Sequence, residues 1–128
     1  MKKSKLVTAF AATLSPVLAC AGIFTAPIVN IDRTHLVASG SLTGARLNAG
    51  GEFILCSVSM QGAARNIRDS AGCSARDSRG IVASCRTLEP DLIAAVLSIS
   101  PASTVSFGWD AVNACTFISV TQSSANVE

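Results

Sequence analysis

Along most of the chain, apolar and polar residues alternate with a period of two. Between residues 52 and 60, Ile54, Cys56, Val58 and Met60 fall on one face, and Phe53, Leu55, Ser57 and Ser59 on the other. That is the pattern of a strand, whose successive side chains point to opposite faces. Val105, Phe107 and Trp109 alternate with Ser106 and Gly108 in the same way, and Cys115, Phe117 and Val120 predict a last strand. Residues 28–33 and 35–37 predict one or two further β segments. Turn chemistry punctuates these runs at Ser39-Gly40, Leu42-Thr43-Gly44, Asn48-Ala49-Gly50-Gly51, Ser100-Pro101-Ala102-Ser103 and Asp110-Ala111-Val112-Asn113. Residues 61–72 read as a polar loop, with room for one helical turn over 63–68. One stretch has a different period. Leu92, Ile93, Val96 and Leu97 repeat at helical spacing, Pro90 suits a first helical position, and Glu89 precedes it as a cap. The pattern predicts a mainly β fold, a small antiparallel sheet of sandwich or barrel type, with one short α-helix near residues 90–98.

The stretch C-S-A-R-D-S-R-G-I-V-A-S-C, Cys73 to Cys85, reads nearly the same from both ends. A three-residue loop of Ser78-Arg79-Gly80, with Gly80 in the left-handed conformation, accounts for this. Asp77 then faces Ile81, Arg76 faces Val82, Ala75 faces Ala83, Ser74 faces Ser84, and Cys73 faces Cys85. Opposed residues have Cβ atoms roughly 4.5–5.5 Å apart, and the closer end of that range is near the reach of a disulfide. The expected bridges are therefore Cys73–Cys85, stapling the hairpin, and Cys56–Cys115, joining distant strands.

The first residues change the charge balance. Met1-Lys2-Lys3-Ser4-Lys5 is basic, residues 6–18 are mostly apolar, and Ala19-Cys20-Ala21 offers small residues where a signal peptidase cuts. Residues 1–21 are expected to be a signal peptide. The alternative is a lipoprotein signal over 1–19, because Val17-Leu18-Ala19-Cys20 resembles a lipobox and Cys20 is then a lipidated N-terminus. Residues 22–121 form the expected single domain and 122–128 a frayed tail. All three lysines lie in the leader. Seven arginines against eight acids remain, a net charge of −1, so no basic field draws nucleic acid. Four cysteines, an even number, remain in the domain. In an exported chain that implies disulfides.

Chemistry is sparse. The gaps between the four cysteines are 16, 11 and 29 residues, with no C-x-x-C and a single His. This disfavours zinc and thioredoxin-like redox chemistry. G-x-S-x-G is absent. His35 is the one imidazole, and Asp32, three residues earlier on an expected strand, would point to the other face. Glu89 and Asp91 flank a helix start, where negative charge is favoured. Asp77 and Asp110 sit beside turns, where Asp is common. Trp109 reads as core. No catalytic, cofactor or metal residue is assigned. The uneven feature is Arg65, Arg68, Arg76, Arg79 and Arg86 within 22 residues, offset by Asp69 and Asp77 alone. Charge that keeps a hairpin soluble and blunts strand edges accounts for it simply. The functional alternative is a contact surface for an anionic partner: an acidic protein, a lipopolysaccharide or a cell-wall polymer.

The run C-S-A-R-D-S-R-G-x-x-A-S-C followed by F-G-W-D and A-C-T-F resembles small exported bacterial proteins with a four-cysteine β-rich domain. The resemblance covers residues 56–120. It implies a disulfide framework and an exported compartment (periplasm, outer membrane if lipidated, or extracellular) and brings no activity with it. The expected function is a non-enzymatic envelope or secreted binding module without a cofactor. Its partner would be a protein or envelope polymer, and membrane contact would come only through Cys20. A small secreted hydrolase using Asp/Glu chemistry or His35, and a structural envelope subunit, are the alternatives.

Overall fold

Period-two segments become strands where each can pair and bury one face. The computed structural model describes residues 28–47, 50–62 and 68–122. The signal-peptide reading, Cys20 and Arg65 lie outside them. Seven strands and two helices follow in the order β1 (Asn30–Asp32), β2 (Val37–Ser41), α1 (Leu42–Leu47), β3 (Phe53–Ser59), β4 (Ser70–Arg76), β5 (Val82–Thr87), α2 (Pro90–Leu97), β6 (Ser103–Trp109) and β7 (Cys115–Gln122). They form two antiparallel sheets, a four-stranded one ordered β1-β2-β6-β7 and a three-stranded one ordered β3-β4-β5. The mainly β expectation holds, with a second helix that sequence reading missed.

One core lies between the sheets. Val105, Phe107 and Trp109 from β6 and Ile118 from β7 meet Ala71, Cys73 and Ala75 from β4 and Ala83 and Cys85 from β5. Phe107 is fully buried, and its ring centroid is 6.0 Å from that of Trp109. Large side chains on one sheet thus fill the space left by small ones on the other. Helix α2 touches β3, β4 and β7 and so bridges both sheets. Ile93 and Val96 form its buried face, whereas Leu97, expected in that face, is exposed. Glu89 precedes α2 without a capping side-chain bond. Its N–H is instead taken by Thr87 Oγ1 at 3.0 Å.

Three local expectations are corrected. Ser39-Gly40 lies within β2, and Leu42-Thr43-Gly44 opens α1, where Ser41 Oγ accepts from Gly44 N at 3.2 Å. Gln122, expected to begin a frayed tail, ends β7 opposite Ser103. In β7 a bulge pairs Gly108 with Phe117 but Trp109 with Cys115. The extra residue, Thr116, shifts the phase of alternation. Cys115 and Ile118 therefore point inward, and Phe117 lies outside, against Gly108. A Cβ at Gly108 would come within 2.5 Å of the Phe117 ring, so only glycine fits there.

Candidate functional site

The β4–β5 hairpin forms in the expected register, with Ala75 opposite Ala83, Ser74 opposite Ser84 and Cys73 opposite Cys85. Gly80 has φ +80°. Asp77 holds the loop together. Its Oδ1 accepts from Arg79 N and Ile81 N, each at 3.0 Å, and its Oδ2 accepts from Arg79 Nε at 2.9 Å and Nη2 at 2.7 Å. Burial by itself would raise the Asp77 pKa, but the Arg79 guanidinium and the two N–H donors outweigh it and hold the carboxyl below its ordinary value. Arg79 Nη2 also reaches Ile31 O at 3.1 Å, and Arg33 Nη2 reaches Val82 O at 3.2 Å. These two arginines tie β1 to the hairpin. In the sequence Asp77 reads only as a turn residue and Arg33 as part of a strand, because separations of 48 and 49 residues leave no local pattern.

The disulfides correct the expected pairing. They are Cys56–Cys73 and Cys85–Cys115, not Cys73–Cys85 and Cys56–Cys115. The register explains why. Cys56 is opposite Cys73 across β3–β4, and Cys73 is opposite Cys85 across β4–β5, so three cysteines stand in one cross-strand row. Cys115 joins the row beyond β5, where Arg86 N donates to Asn113 O at 2.9 Å. Pairing the middle two would leave Cys56 to reach Cys115 across at least two strand spacings, roughly 10 Å, too far for a bridge. Pairing from the ends uses all four. Backbone direction agrees. Asp77 N donates across the hairpin to Ile81 O, so two and four residues earlier Ala75 and Cys73 also turn their N–H groups toward β5. Cys73 and Cys85 thus form a hydrogen-bonded pair. Toward Cys56 the same residue is in a non-hydrogen-bonded pair, where side chains are closer, and the Cα atoms there are 4.0 Å apart. The two disulfides are consistent with an oxidising environment.

The one histidine also departs from expectation. Residues 32–36 make a tight turn in place of an extended strand, with Thr34 N and His35 N both donating to Asp32 Oδ1 and Leu36 at φ 55°. The turn brings His35 Nδ1 to 2.5 Å from Asp32 Oδ2. That bond, followed by the His35 N–H, lowers the Asp32 pKa. The pair is solvent-exposed, and no described residue bonds Nε2, so no nucleophile completes a catalytic relay among the described residues. Asp110, expected beside a turn, accepts from Val112 N and Ala114 N, each at 2.9 Å, and shapes that turn.

The four described arginines of the cluster separate. Arg79 is committed to the hairpin. Arg68 lines a groove of about 560 Å³ with Met60, Leu88 and Leu97 beside α2. Arg76 and Arg86 share the outer face of the three-stranded sheet. Across all seven strands the only charged residues are Asp32, Arg76 and Arg86, so this face carries two cations and no acid. Its rows, by register, are Phe53–Arg76–Val82, Leu55–Ser74–Ser84 and Ser57–Gly72–Arg86. Among the described residues neither arginine pairs with a carboxylate. Arg86 Nη2 lies 3.4 Å from Ser70 Oγ, over a depression of about 240 Å³ lined by Leu55, Ser57, Ser59, Gly72 and Ser74. Ser57 and Ser74 have no side-chain partner among the described residues. The lining is therefore mostly hydroxyl groups and a glycine, with Leu55 on one side and a guanidinium at its edge, an arrangement that can donate hydrogen bonds to an oxyanion.

Fold and face together define a class: a disulfide-braced, two-sheet β domain with a cationic, hydroxyl-lined face. Compared with known proteins, the chain matches no family model, no curated protein and no solved structure.

Proposed function

We propose that this is an exported, non-catalytic binding module that acts in the periplasm, at the outer membrane or outside the cell, and that the outer face of β3-β4-β5 takes an anionic, hydroxyl-rich polymer. The observation that carries the reading is the placement of Arg76 and Arg86, without an acid, on a sheet face otherwise made largely of small and hydroxylated residues. A polar polymer is favoured over a protein partner because protein interfaces centre on aromatic and apolar anchors, and the middle row of this face has only Leu55, at its β3 end, beside Ser74 and Ser84. Arg76 and Arg86 are four residues apart by register, roughly 13 Å along the strands, a spacing that suits repeated charges on an extended chain.

The test is calorimetric titration with a linear polyuronate at low and at physiological salt. Binding is expected at low salt and should weaken as salt rises. Replacing both Arg76→Gln and Arg86→Gln should weaken it about tenfold, the order expected from losing two exposed ion pairs. Arg68→Gln, on a different surface, should leave it unchanged. Equal loss from Arg68→Gln, or no loss from the double variant, overturns the reading.

A further inference from the structure

The row of cysteines has a consequence beyond bracing. Cys73 is bonded to Cys56 on one side and stands directly opposite Cys85 on the other. Cys85 is in turn bonded to Cys115. A thiolate released at Cys73 therefore faces a disulfide sulfur across one strand pair. Hydrogen-bonded antiparallel pairs have Cα atoms about 5.5 Å apart, which is within the range that disulfides span. Access to the row is uneven. Cys73, Cys85 and Cys115 are buried, and Cys56 is half-buried at the β3 end.

We infer that the four cysteines form an internal thiol–disulfide relay, entered at Cys56 by an external monothiol and discharged at Cys115. The external thiolate attacks Cys56 Sγ. A mixed disulfide forms there, the Cys56–Cys73 bond breaks, and Cys73 leaves as the thiolate. Cys73 Sγ then attacks Cys85 Sγ, so that a Cys73–Cys85 bond forms, the Cys85–Cys115 bond breaks, and Cys115 leaves as the thiolate. One disulfide is exchanged at each step, and no net oxidation or reduction occurs. The outcome is structural as well as chemical. Cys85–Cys115 links β5 of one sheet to β7 of the other, whereas Cys73–Cys85 lies within one sheet. A thiol bound at one edge of the molecule thus releases the covalent link between its two sheets.

Four tryptic peptides separate the four cysteines, with Cys56 in 47–65, Cys73 in 69–76, Cys85 in 80–86 and Cys115 in 87–128. Oxidised full-length protein carrying Cys20→Ser, which removes the fifth cysteine, is incubated with limiting glutathione, quenched in acid, alkylated and mapped by mass spectrometry. The relay predicts glutathione on Cys56, a 69–76/80–86 cross-link, and most of the alkyl label on Cys115. A Cys56→Ser variant, oxidised without glutathione, should show the same cross-link with Cys115 free. Label confined to Cys73 with Cys85–Cys115 intact overturns the relay in either experiment. So does entry of glutathione at Cys85 or Cys115. If the variant does not fold, the wild-type mapping decides alone.

Discussion

The two sheets bury their inner faces by different means. The four-stranded sheet contributes Val105, Phe107, Trp109 and Ile118 to the core, whereas the three-stranded sheet, Ile54 apart, contributes mainly alanine and cysteine. Burial energy scales with apolar area, at about 25 cal/mol per Å², and small side chains supply little of it. The sheet with less to bury holds three of the four cysteines and the Asp77-centred hairpin. Covalent and polar braces thus concentrate where the hydrophobic contribution is weakest.

The largest expected effect tests the aromatic side. Phe107 has no exposed surface and shares one core cluster with the small residues of β4 and β5, which cannot expand into a void. Phe107→Ala should cost about 3–5 kcal/mol, read as a fall in the urea midpoint at constant m. A loss near 1 kcal/mol would mean that the braces, not the aromatic core, dominate both sheets.

The same contrast explains what the sequence made legible. Alternation over 52–60 and 105–109, and the mirror symmetry of residues 73–85, are local patterns, and they give two strands and a hairpin in register. The disulfide pairing was not legible, because Cys73 has an opposed cysteine on each side, and strand order and hydrogen-bond phase, neither of them local, decide between the two. Asp32 ends β1 as expected, but His35 lies in an Asx turn built on the Asp32 carboxylate, which the alternation around it does not signal. The acid-free face could be read in outline, since Arg76 and Arg86 fall in register with outward positions. That Arg79 leaves the cluster follows from its contact with Ile31 O, which no local pattern encodes.

The next effect tests the braces. Replacing both Cys85→Ser and Cys115→Ser removes a cross-link over a 30-residue separation, and replacing Cys56→Ser and Cys73→Ser removes one over 17. Loop-closure entropy predicts losses of about 3–4 and about 3 kcal/mol. Both can be measured by the same urea unfolding. A loss well above these values for the Cys85–Cys115 pair would show that the link between sheets also carries native-state packing, and would sharpen the division between the two faces of the core.

The smallest effect separates the hairpin carboxylate from the exposed one. Asp77 and Asp32 both have lowered pKa values in the folded protein. A group whose pKa is lower in the folded than in the unfolded state stabilises above its unfolded value, near 4, and that stability is lost as pH falls through the folded value. Thermal midpoints should therefore drop as pH is lowered from about 5 to about 2. Asp77 is nearly buried and receives four hydrogen bonds from Arg79 and Ile81, whereas Asp32 and His35 are open to solvent, which screens them. Asp77→Asn keeps an oxygen for the Arg79 and Ile81 N–H groups but removes the charge opposite the guanidinium. It should flatten the acid limb of the profile more than Asp32→Asn does. If Asp32→Asn flattens it more, the hairpin is not held by its carboxylate, and the three-stranded sheet depends on its disulfides alone.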